Sequence, residues 1–163
     1  MNFFKIIAVT ALGSSLLLGS CARKAEVAPY VLSAQQKSMA SEIGISDEQM
    51  QTIMSKQLYE LSPRQTDQYL RYLHATEPDL RKRIGMIAEK NLGQPYELYL
   101  LGEAPFEPYD AQPLFELEKS DCVVFAEHTY AMGLSDHWAD FFVTLQHIRY
   151  NEGQVGVVTR NHY

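Results

Sequence analysis

The side chain best placed for chemistry is Cys122, in the run Ser120-Asp121-Cys122-Val123-Val124-Phe125-Ala126-Glu127. Asp121 is a capping type, and Cys122, Phe125, Ala126, Thr129 and Tyr130 recur at helical spacing, which predicts a helix ending near Gly133 with Cys122 in its first turn. Free amide N–H groups and the positive end of the helix dipole favour an anion there, so this thiol is poised to act as a thiolate nucleophile. Asp121 opposes that if its carboxylate faces the sulfur and is harmless if it caps the helix. The competing role for Cys122 is packing, since cysteine is among the most buried residue types.

Composition narrows the other chemistry. The chain has 163 residues, 46% of them apolar, enough for one core. Its 2 cysteines are too few for a disulfide scaffold or a thiolate cage, and no His-Glu-x-x-His occurs, so neither a metal nor another cofactor is expected. With 14 Lys and Arg against 20 Asp and Glu, the net charge of −6 argues against nucleic acid, which is held by clustered cations. His74, His128, His137 and His147 fall in helical stretches where surface or packing roles suffice, leaving His162 in the closing Arg160-Asn161-His162-Tyr163. Glu127 reads as a structural hydrogen-bonding group, and Arg81-Lys82-Arg83 as a solvated face.

The elements that must position Cys122 are mostly helical. Ser46 with Gln49, Ser62 with Gln65, and Thr76 with Asp79 have capping-box spacing, and Pro63 and Pro78 stand early in the helices that follow. Gly93, Pro95, Gly102, Pro105, Pro108 and Pro113 then break every helical period while Tyr96, Tyr99, Phe106, Tyr109 and Phe115 recur among them, a long loop able either to wall a binding site or to be pinned on the helices by its aromatics. A further helix is expected from Ser135, with Trp138, Phe141, Phe142, Leu145 and Ile148 on one face, and a strand over Val155-Gly156-Val157-Val158-Thr159. A single strand has no ladder partner, so residues 42–163 are expected to be the N-terminal portion of a domain whose sheet lies further on.

At the start, Lys5 and the apolar run Ile6 to Leu18 read as a secretory signal over residues 1–20, too short to span a bilayer. Leu18-Gly19-Ser20-Cys21 resembles a bacterial lipobox, which implies lipidation at Cys21, a membrane-anchored lipoprotein of the cell envelope and a tether over residues 21–41. If Cys21 carries lipid, Cys122 has no intramolecular disulfide partner, which strengthens its reading as a reactive thiol.

Four blocks in order, Gly93-Gln94-Pro95-Tyr96, Asp121-Cys122-x-x-Phe125-x-Glu127, Ile148-Arg149-Tyr150 with Gly153, and Arg160-Asn161-His162-Tyr163, resemble the N-acetylmuramoyl-L-alanine amidase-like family of NlpC-type papain-like cell-wall hydrolases over roughly residues 60–163. The resemblance implies an α+β, papain-like fold, with the present residues mostly helical and one or two strands at the C-terminal end. It implies Cys122 as nucleophile, a histidine as base, for which His162 is the candidate, and Tyr96, Asp121, Arg160 and Asn161 as substrate-contacting residues. The implied substrate is a peptidoglycan muropeptide, cut between the N-acetylmuramoyl lactyl group and L-alanine by a monomeric enzyme, with residues 1–163 alone inactive. Val124 departs from the hydroxyl residue that relatives often carry. Two rivals stay open: a non-catalytic envelope lipoprotein that binds wall glycopeptide, and a peptidase that cuts within the stem peptide.

Overall fold

A computed structural model describes residues 30–101 and 114–161. Six helices form the frame: α1 (Ala34–Glu42), α2 (Asp47–Ser55), α3 (Pro63–Thr76), α4 (Leu80–Lys90), α5 (Cys122–Leu134) and α6 (Trp138–Arg149). None of the described helices is long and apolar enough to cross a membrane.

Local caps start the early helices. Ser46 and Gln49 make the expected box on α2, and Ser62 and Gln65 make it on α3 with Pro63 in the first turn. A third box, Ser33 with Gln36, starts α1 within the stretch expected to be a bare tether. That helix is retained because Ala40 is fully buried with Leu32, Ile45, Met50 and Tyr72 in a small N-terminal cluster. The pair Thr76 and Asp79 behaves differently from its spacing. Pro78 drives the preceding Glu77 into extended backbone, so α3 stops at Thr76, whose hydroxyl donates back to the Tyr72 and Leu73 carbonyls, and Asp79 itself caps α4 by accepting from the Lys82 amide at 3.0 Å.

Long side chains close several helix ends. Lys90 donates to the carbonyls of Ile53 (2.9 Å) and Lys56 (2.6 Å) at the end of α2 and stacks over the Tyr69 ring, and its burial lowers its pKa to about 8. Arg83 is not on a solvated face, because its guanidinium donates to the carbonyls of Glu77, Pro78 and Gly133 and so joins α4 to the end of α5. Helix α6 starts at Trp138, later than expected. Ser135 instead ends α5, donating to the Ala131 carbonyl at 2.7 Å, and the Trp138 amide is capped by Asp67 from α3 at 2.9 Å.

The main core lies where α3, α4, α5 and α6 meet, around Tyr69, Leu70, Leu73, Ile87, Met132, Phe141 and Leu145. Phe115 packs edge-on against Trp138 and Phe142, so this loop aromatic serves packing. The loop around Gln94 is held by side-chain bonds: its amide nitrogen donates to the Leu117 carbonyl, and its oxygen accepts from Asn91 and Ser120. At the two edges of residues 102–113, Leu101 and Leu114 are each tied to α6, through Arg149 and Gln146 respectively.

The α+β expectation is not met. Among the described residues the architecture is all-α, with two isolated bridges, Tyr96 to Ser120 (parallel) and Tyr150 to Arg160 (antiparallel), in place of strands. The segment expected as a strand forms a 3-10 turn over Val157–Thr159, where the Thr159 amide and hydroxyl both bond the Gly156 carbonyl. Among the described residues the β-branched run has no neighbouring strand to complete a ladder, and its valines are exposed to solvent.

Candidate active site

Cys122 is the first residue of α5 and its side chain is exposed. Asp121, the cap, turns its carboxylate to the backbone: Oδ1 accepts from the amides of Val123 (2.9 Å) and Val124 (2.8 Å). The carboxylate therefore stabilises the helix start and is itself buried, leaving it engaged in the cap rather than presented to a ligand. It also occupies two of the first-turn amides that an oxyanion would use.

The helix was legible but the side it buries was not. Val124, His128, Ala131 and Met132 point inward, whereas Cys122, Val123, Ala126, Tyr130 and Leu134 line an open groove of about 500 Å³ with Ile148 and the buried Glu127. Helix α5 is apolar on all sides, so its sequence carries no directional signal. The groove is mostly hydrocarbon, and Tyr130 keeps 55% of its surface in solvent.

His128 is structural. It is buried, its Nδ1 meets the Val124 carbonyl at 2.8 Å and its Nε2 accepts from the Glu116 amide at 3.2 Å. Desolvation, aided by the nearby Arg149 charge, lowers its pKa to about 4, so it is neutral near pH 7 and donates through Nδ1. His74 and His147 also lie in helices, and His137 precedes α6 with Asp136 and Asp140 beside it. The Asp136 bond raises the His137 pKa while His137 lowers that of Asp136. These three side chains could bring one ligand atom each within 4.8 Å of the others, but all are exposed surface groups.

Of the other expected site residues, Tyr96 is 69% exposed and is set beside the start of α5 by its bridge to Ser120. Arg160 donates to the Leu101 carbonyl at 2.8 Å. Asn161 is bonded twice to the end of α6, its amide to the Arg149 carbonyl at 2.8 Å and its Nδ2 to that of Ile148 at 2.9 Å. Cys21 and His162 lie outside the described residues. Sequence reasoning missed the partner of Glu127: Arg149 is buried and meets that carboxylate at 3.0 Å beneath the groove. The signal available was an arginine between two apolar residues, Ile148 and Tyr150, at the end of an otherwise apolar helical face.

Residues 86–163 match the model of a family described as AmiA-like, N-acetylmuramoyl-L-alanine amidase-like. The crystal structure of a Legionella pneumophila protein assigned to domain-of-unknown-function family 1460 is similar at 27% identity and a TM-score of 0.50, covering 61% of this chain and 34% of that one. The chain thus spans about a third of the length of the solved relative. No curated protein matches. Residues 86–163 are therefore similar to the N-acetylmuramoyl-L-alanine amidase-like family, the resemblance that the four motif blocks suggested.

Proposed function

We propose that Cys122 is the nucleophile of a cysteine amidase that cuts peptidoglycan fragments between the N-acetylmuramoyl lactyl group and L-alanine. The observation that carries this reading is an exposed thiol on the first residue of a 13-residue helix, with its capping carboxylate directed into the backbone and a wide groove open beside it. The family match over residues 86–163 supports the cell-wall substrate class.

In this mechanism the Cys122 thiolate attacks the lactyl carbonyl carbon and forms a tetrahedral oxyanion. Val123 and Val124 are committed to Asp121, so the Cys122 amide is the first-turn N–H that would face that oxyanion. Collapse breaks the C–N bond, and the leaving L-alanine nitrogen takes a proton from His162, the proposed acid and base. Water then attacks the thioester, gives a proton back to His162 and releases the lactyl carboxylate and the cysteine thiol. Exposed Tyr96 and Tyr99 offer faces on which sugar could stack. A lipid on Cys21 would keep this chemistry at the envelope, and the apolar face of α5 is suited to burial by further chain in a protein of the relative's length.

Digestion of defined muropeptides by the protein at its native length tests the reading. Mass spectrometry should find intact N-acetylmuramoyl sugar and a peptide beginning with L-alanine, both absent with Cys122→Ala. Cleavage within the stem moves the bond. A Cys122 that iodoacetamide alkylates no faster at neutral pH than a small model thiol overturns the nucleophile and leaves a glycopeptide-binding lipoprotein.

A further inference from the structure

One side chain clips the start of the helix that carries Cys122 to the end of α4. Gln94 lies in the turn that leaves α4, where Gly93 takes φ +86°, a conformation that favours glycine. The Gln94 amide makes three bonds. Its Nε2 donates to the Leu117 carbonyl at 2.8 Å, and its Oε1 accepts from Ser120 Oγ and from Asn91 Nδ2, both at 2.7 Å. The Leu117 carbonyl can only accept, so the amide has one satisfactory orientation. Backbone bonds run alongside, from the Ser120 amide to the Pro95 carbonyl at 3.0 Å and from the Glu97 amide to the Ser120 carbonyl at 3.1 Å. Asn91 and Ser120 are both buried, so water competes poorly for these partners. Ser120 is followed directly by Asp121, whose extended backbone and cap bonds open α5 at Cys122.

We infer that Gln94 is a positioning residue for Cys122: by holding Ser120 it fixes where α5 begins, and so keeps the thiol in the first turn with the Asp121 carboxylate turned to the backbone. This rests on the reading of Cys122 as the nucleophile. The N-terminal dipole stabilises an anion on the first residue of a helix, and that effect falls off within a turn. Asp121 accepts from the Val123 and Val124 amides only while residue 121 stands at the cap position. Once the start of α5 frays, its carboxylate is released next to the cysteine and opposes the thiolate. Both losses have the same sign. Cys122 is already exposed, so a looser helix start cannot speed its reaction by uncovering it. The same clip holds the exposed Tyr96 opposite Ser120, so the thiol and this ring share one anchor.

The experiment is the rate of Cys122 alkylation by iodoacetamide at neutral pH, read by peptide mass spectrometry, in the native-length protein and in Q94M, Q94E, S120A and the double variant Q94M/S120A. Far-UV circular dichroism and melting curves restrict the comparison to temperatures at which each variant is folded, so a loss of stability alone does not move the rate. Q94M keeps the bulk of the side chain without its bonds and should slow alkylation by about fivefold, the scale of a helix-end dipole acting on a first-turn charge. Q94E, as a carboxylate, still accepts from Ser120 and Asn91 but cannot donate to Leu117, and should recover part of the rate. S120A should also slow the reaction, which keeps the test open if Q94M does not fold. The effects of Q94M and S120A should combine to less than their product, because both cut the same clip. A wild-type rate in folded Q94M or in folded S120A, or effects that multiply in the double variant, overturns the positioning role and leaves the nucleophile reading standing. A wild-type Cys122 that reacts no faster than a small model thiol overturns that reading, and the positioning role falls with it.

Discussion

At the scale of single residues, the most consequential environments are those of two neighbours on one helix with opposite fates. Cys122 faces solvent and His128 is sealed in the core. The folded pKa of His128 is about 4 against an ordinary 6.5, so the unfolded chain binds more protons between those values. Stability from this site is thus fully present above pH 6.5 and is lost as pH falls toward 4, by roughly 3 kcal/mol in all. Melting curves of the wild type and His128→Gln should converge as pH drops from 7 to 4, because the variant lacks that slope. A constant difference across the range would mean that the ring is not held neutral.

For the elements, close approach rather than propensity governs the α4 and α5 pair. A Cβ built on Gly133 would stand 2.7 Å from Ile84 Cγ1 and 3.5 Å from Leu80 Cδ1, so the two helices meet here because one side chain is absent. Ile84 is β-branched and stiff near its backbone. Gly133→Ala is therefore expected to lower stability by about 1 kcal/mol, the overpacking cost exceeding the gain in helix propensity. A denaturant midpoint at or above that of the wild type would refute this. Boxes such as Ser46 with Gln49 were readable because all their partners lie within one turn. Thr76 with Asp79 misled because Pro78 moves the boundary, and the exposed side of α5 was unreadable because an all-round apolar sequence favours no face. Val155 to Thr159 has strand propensity, yet a ladder needs a neighbour that local sequence does not specify.

Across the whole molecule, the described residues divide their apolar burial unequally. The main cluster joins residues from α2 to α6, whereas the N-terminal one is built on Leu32, Ala40, Ile45, Met50 and Tyr72, and α1 itself gives it one fully buried residue, Ala40. Few long-range bonds reinforce that end, among them Arg71 to the Ile43 carbonyl and Gln51 to the Tyr30 carbonyl. Native-state hydrogen exchange should therefore find α1 amides opening at lower free energy than those of α3 and α5, in a local event that leaves the rest protected. Equal protection throughout would indicate a single cooperative unit.

The ties at Leu101 and Leu114 have a consequence for descent. Their anchors on α6, Arg149 and Gln146, are one turn apart, so the frame fixes where residues 102–113 leave and return without depending on what lies between. Lengthening such a segment adds only about 0.6 kcal/mol of closure entropy per doubling. The frame therefore tolerates exchange or extension of this segment without displacing the helix that carries Cys122.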